Sequence, residues 1–194
     1  MTQRQQRALE AYRRNENGRY DINGTRYSEE EAVRNYMSLF DSLFFFGVIS
    51  GRIKLVFNAP NRLSDGRLGE CAKATTSAFG TTLRSSDIRI FPTNTAGCRA
   101  RMIYYRQILL HEMCHAVLGT FCCRQGSCED HREGTGWTGH GAAWQRVALA
   151  LELAATDILG FYFDMARNRS CALEMKSTGR FTQQQLLSWD LQGI

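Results

Sequence analysis

Apolar and polar positions follow two periods along the chain. Val33, Tyr36, Met37, Phe40, Leu43 and Phe44 recur at three- and four-residue steps, which predicts an amphipathic helix with its apolar stripe on a core. Ser28, followed three residues later by Glu31, is a capping box that starts this helix, and Gly47 and Gly51 break the pattern. The period then changes to two. Ile53–Phe57 alternates into a short strand. Residues 70–82, rich in small and β-branched side chains, predict a second strand, and Asp87–Phe91, with Ile88 and Ile90 on one face, a third that Pro92 stops. Neighbours in sequence, the three are expected to pair as an antiparallel sheet. Helical spacing returns over Arg99–Leu118 and again from Ala142 to Leu159, where Trp144, Val147, Leu151 and Ala154 share a face. Gln183–Leu191 predicts a short final helix, and the Arg-rich residues 1–14 a solvated one. The expected class is α+β, a small antiparallel sheet packed on helices.

The chemistry concentrates in one of these helices, at His111-Glu112-Met113-Cys114-His115. Residues four apart share a helix face, so His111 and His115 can hold one metal ion between two imidazoles, with Glu112 at the rim of the site. This is the HExxH arrangement, in which two histidines bind zinc and the glutamate serves as general base. A catalytic zinc takes three protein ligands and leaves one position for water. His140 is the leading third ligand: glycines 139 and 141 flank it and a helix begins just behind it. His131, set among charged residues, and a carboxylate such as Glu152 are the alternatives. Residues 120–139 form a long Gly-rich polar loop, a kind of segment that is usually functional. Arg99, Arg101 and Arg106 are expected on the exposed side of the metal helix.

Composition adds bounds. A chain of 194 residues, 43% hydrophobic, suits one domain with a real core. The formal charge of +5 suits a nucleic-acid partner without demanding one, and no base-reading motif is present, so any contact is expected to be with phosphates or exposed bases. No apolar run reaches membrane-spanning length, and the polar start lacks a signal-peptide core. An intracellular protein is therefore expected, and the seven scattered cysteines do not form a disulfide framework. Cys114 reads as a small core residue.

HEMCHA (111–116) together with GHGAAW (139–144) resembles the SprT-like zinc metalloprotease domain of the Spartan-related family. Leu39–Phe45 with Gly51, Gly69-Glu70-Cys71-Ala72 and Ile88-Arg89-Ile90 resemble that domain's upstream segments. The resemblance covers about residues 28–160, leaving an N-terminal arm (1–27) and a C-terminal tail (161–194). It implies a zincin-like fold and a single Zn2+ held by His111, His115 and His140, with Glu112 catalytic. It further implies DNA-stimulated proteolysis of DNA-bound or DNA-crosslinked proteins, contact with single-stranded DNA without sequence specificity, and a nuclear location. Two other functions remain: a general intracellular zinc peptidase, and a non-catalytic DNA-binding module with a structural zinc. The chain departs from the pattern in having no downstream cysteine ribbon and no ubiquitin-binding finger. Cys122, Cys123 and Cys128, with His131 or Cys171, are candidates for a second zinc, although reduced thiols in a loop are the simpler expectation. Gln183–Trp189 faintly resembles a clamp-binding box, but Asp190 replaces its second aromatic, and it is read as an ordinary helix.

Overall fold

The structure, a computed structural model, describes residues 1–15, 28–57, 68–78, 81–93, 97–122, 134–178 and 181–191. Those residues form a mixed α+β chain of six α-helices and a three-stranded sheet. They divide into two units, Met1–Thr120 and Phe121–Ile194.

In the first unit, α1 (Gln3–Arg14) and α2 (Glu29–Phe44) pair through aromatic side chains. Both start with a capping box, at Thr2 and at Ser28, so two orphan helix donors are satisfied at each start. The α1 segment is more than a solvated appendage. Ala8, Leu9 and Tyr12 are buried, and the Tyr12 ring meets Tyr36 edge-on at 6.0 Å. At the far end of α2, the buried Asp41 carboxylate accepts the backbone N–H groups of Ile49 (3.3 Å) and Ser50 (2.9 Å), which folds the chain back toward the sheet.

The sheet contains β1 (Ile53–Phe57), β2 (Gly69–Ala78) and β3 (Thr81–Ile90), in the order β1-β3-β2. The expected all-antiparallel sheet is corrected here. β2 and β3 are antiparallel, with Gly69 opposite Ile90 and Ala78 opposite Thr81, but β1 runs parallel to β3, with Leu55 opposite Ile88. The expected second strand also ends early, because Thr81 and Thr82 already belong to β3. β3 carries the fully buried Ile88 and Ile90 and takes the centre, where both edges are paired. β2, with Lys73 and Thr75 exposed, suits an edge.

The sheet packs on α3 (Cys98–Phe121), where Phe57 meets Tyr105 edge-on at 5.0 Å. Arg106 on α3 is buried at 4% exposure, against expectation. Its Nη1 donates to the Tyr12 hydroxyl at 3.1 Å, its Nε donates to the Met102 carbonyl at 3.3 Å, and its guanidinium lies 5.0 Å from the Tyr36 ring centre. The charge is thus met by a π face and two oxygens, which its planar fork allows. Tyr12 and Tyr36 come from α1 and α2, far away in sequence. Arg101 is half-buried and paired with Glu29 at 2.7 Å, while Arg99 is exposed as expected.

The second unit contains α4 (Ala142–Leu159), α5 (Arg167–Thr178) and α6 (Gln183–Ser188). α4 falls where its periodicity predicts and ends at Gly160, a left-handed residue at φ +65° whose N–H returns to the Thr156 carbonyl. α5 has no counterpart among the expected elements. Arg167 ties the unit together: it pairs with Glu152 of α4 at 3.0 Å and donates to the Trp189 carbonyl. Trp189 is buried with Cys171 and Leu191, so the Gln183–Trp189 stretch is a packed helix and turn, as read from the sequence.

Arg106→Glu is expected to cost about 3–5 kcal/mol, because it leaves a buried unpaired charge beside Tyr12 and Tyr36. Arg99→Glu should stay within about 0.5 kcal/mol. Urea denaturation of the two variants measures both, and equal midpoints would contradict this burial.

Candidate metal centre

The middle of α3 is interior. Leu109, Leu110, Met113, Cys114 and Ala116 are fully buried, which bears out the core reading of Cys114. Among the half-buried positions, Ile103, Gln107, His111, His115 and Gly119 lie at four-residue steps along one face. His111 and His115 occupy its middle. Their Nε2 atoms are 3.3 Å apart and their ring centres 5.1 Å. Two nitrogens each about 2.05 Å from a tetrahedral ion stand about 3.3 Å apart, so the pair has the spacing that zinc requires.

Glu112 leaves this face and is 6% exposed, lying toward the start of β2. A Cβ on Gly69 would sit 2.6 Å from Ile108 Cγ2 and 2.9 Å from Glu112 Oε1. Glycine at 69 therefore leaves room for the carboxylate, a role that the sequence shows only as one small residue opening a strand. Beside it, burial pushes the Cys71 thiol up to about 12, and the negative Glu112 adds to the effect. Cys71 thus stays protonated and is no thiolate ligand or nucleophile near neutral pH.

In the second unit, His140 stands at the end of a tightly folded loop. Gly136 and Gly139 have φ of +71° and +87°, conformations that residues with a Cβ rarely adopt. A Cβ on Gly141 would meet Gly136 N at 2.5 Å and Gly134 O at 2.7 Å, so the glycines let the loop pack on its own backbone. The His140 ring stands edge-on to the buried Trp144, 4.7 Å between centres, and its carbonyl accepts from Gln145 Nε2 at 3.4 Å. Its Nδ1 is 3.0 Å from the Thr138 hydroxyl. Behind Thr138 lies Glu174 of α5, which accepts from Trp137 N (2.7 Å), Thr138 N (2.8 Å) and Thr138 Oγ1 (2.5 Å). Sequence reasoning missed Glu174. The one available signal was the general need of a ligating histidine for an acceptor on its other nitrogen.

The other candidates fare differently. Glu152 is committed to structure, accepting from Met165 N and Arg167 at 3.0 Å each, and burial raises its pKa more than these partners lower it. Cys171 is buried against Trp189 and Leu191, and burial raises its thiol as well. His131, Cys123 and Cys128 lie outside the described residues, and Cys122 is half-buried. Among the described residues no helix is long and apolar enough to cross a membrane.

No family model matches the chain, and neither a curated protein nor a solved structure matches it significantly.

Gly69→Ala is expected to destabilise the fold by about 1–3 kcal/mol through overpacking against Ile108 and Glu112. Ile108→Ala removes the nearest clash, so the glycine substitution should cost markedly less in that background. Strict additivity in urea denaturation of the four proteins would show that the crowding does not exist.

Proposed function

We propose that the chain is a zinc-dependent endopeptidase in which His111, His115 and His140 hold the ion and Glu112 is the general base. The observation that carries this reading is the His111–His115 pair, whose Nε2 atoms stand 3.3 Å apart on one helix face with Glu112 next to it in the chain; His140, braced in the second unit, is proposed as the third ligand. Three neutral imidazoles make a fitting zinc donor set, and they leave a position open, whereas structural sites are closed by four protein ligands. That difference, together with an acid at Glu112 that a structural site does not need, favours an enzyme over a silent DNA-binding module. A zincin-like fold and kinship with SprT-like proteases belong to the same proposal, supported by the motif pair and by a helix-on-sheet unit.

Zinc, when bound, supplies Lewis acidity, polarising a scissile carbonyl and acidifying a water. The chain supplies the rest. Glu112, packed beside Gly69, takes a proton from the attacking water and delivers it to the leaving amine, so the peptide bond is replaced by a carboxylate and an amine. β2 pairs only with β3 among the described residues, and it begins at Glu112. An extended substrate added along its other edge would bring a backbone carbonyl past the base.

The substrates we propose are DNA-bound or DNA-crosslinked proteins in the nucleus, with single-stranded DNA as the activator. The support is the Spartan-like motif pair and the +5 charge. Binding enzyme and substrate to one strand would restrain an otherwise unselective protease through effective concentration. The arginines to test are not those of α3 as a group, since Arg106 is internal and Arg101 is paired.

The purified protein should carry one zinc, reduced in occupancy by His111→Ala, His115→Ala or His140→Ala. Glu112→Gln should retain zinc while losing on the order of 10²–10⁴ in cleavage rate. Metal analysis and peptide cleavage check both, and undiminished cleavage by Glu112→Gln would end the mechanism.

Cleavage of a DNA-crosslinked protein should rise with added single-stranded DNA. The stimulation should fall with salt at a log–log slope of about −0.7 per neutralised phosphate. Equal rates with and without DNA would instead identify a general peptidase.

A further inference from the structure

We infer that Glu174, far downstream on α5, is a positioning residue for the metal ligand His140, acting through Thr138 to fix which ring nitrogen carries the proton and which the lone pair. The inference rests on the zinc reading above. Its geometry lies wholly within the second unit.

The protons available to the three side chains decide the direction of each contact. Glu174 is 1% exposed, and its carboxylate can only accept. It takes the Trp137 N–H on Oε1, and the Thr138 N–H and hydroxyl on Oε2. Thr138 has a single hydroxyl proton, and at 2.5 Å that proton is given to the carboxylate. The 3.0 Å contact between Thr138 Oγ1 and His140 Nδ1 must then be closed by the histidine as donor. A neutral imidazole has one N–H, so a proton on Nδ1 leaves the lone pair on Nε2. The assignment follows from the hydrogen-bond network. It is the tautomer that binds a metal through Nε2.

The surrounding backbone is built to the same end. A Cβ on Gly136 would fall 2.4 Å from Glu174 Oε1, so glycine there lets the loop close on the carboxylate. Gly139 then turns the chain at φ +87° and brings His140 back beside Thr138. The Trp144 ring holds the imidazole edge-on from another side. Glu174 therefore replaces a direct carboxylate–histidine contact with a carboxylate–hydroxyl–histidine chain.

Two variants separate this role from simple bracing. Glu174→Gln leaves one oxygen for the three donors and removes the charge, so the hydroxyl proton is no longer held on the Glu174 side. Thr138→Val keeps both backbone N–H contacts to Glu174 and removes only the relay, and Thr138→Ser restores it. Long-range ¹H–¹⁵N correlation spectra of the zinc-free protein at roughly pH 8, where histidine is neutral, read the tautomer directly. Chelator competition reads zinc affinity. We expect His140 to carry its proton on Nδ1 in the wild type and in Thr138→Ser, and to lose that preference in the other two variants. Zinc affinity should fall in those two on the order of 10–100-fold. An unchanged tautomer in Glu174→Gln and Thr138→Val, or full zinc affinity in Thr138→Val, would overturn the positioning role while leaving the zinc site standing. Failure of the zinc reading looks different: the wild type would bind no zinc, or His140→Ala would bind it as tightly as the wild type, whatever the tautomer.

Discussion

A helix whose middle turns must be buried while two histidines stay open to a ligand is the constraint on which the first unit depends. The i, i+4 spacing of His111 and His115 places their Nε2 atoms 3.3 Å apart only while α3 is regular through that turn. Propensity contributes little to regularity there, since His and Cys are only middling helix formers. The regularity comes from packing, which supplies most helical stability in proteins. Leu109, Leu110, Met113 and Ala116 fill the interior, and β3 lies central in the sheet that covers α3. The chemistry sits on the half-buried face that carries His111 and His115.

The second unit solves a different problem with different means. His140 belongs to no regular element, so nothing periodic orients it. Its placement comes from a loop whose glycines adopt positive φ and pack backbone on backbone, and from a buried carboxylate that collects three donors. Loops that hold a ligand need such bracing, because a misoriented imidazole loses metal affinity even when the residue is present.

Charge is partly internalised. Arg106 is spent on Tyr12 and Tyr36, Arg101 on Glu29, and Arg167 on Glu152 and the Trp189 carbonyl. The formal +5 is therefore not a simple map of a basic face. A surface argument about nucleic acid has to start from cations such as Arg99, which the fold leaves exposed.

Local signals carried far. The capping box at Ser28, the helix over Ala142–Leu159, the core placement of Cys114 and the helical face shared by His111 and His115 all depend on residues within a few positions of one another. Spacing and side-chain chemistry suffice for these, because a helix makes its contacts at i+3 and i+4. Other features needed the tertiary structure. That β3 is the central strand, with β1 parallel to it and β2 antiparallel, was decided by pairings between segments up to 33 residues apart. That Arg106 is interior was decided by aromatic rings from α1 and α2. That Gly69 makes room for Glu112, and that Glu174 stands behind Thr138, depend on residues 43 and 36 positions apart. No local pattern marks such pairs, because a contact across that distance is set by how whole elements pack and not by the period of either one.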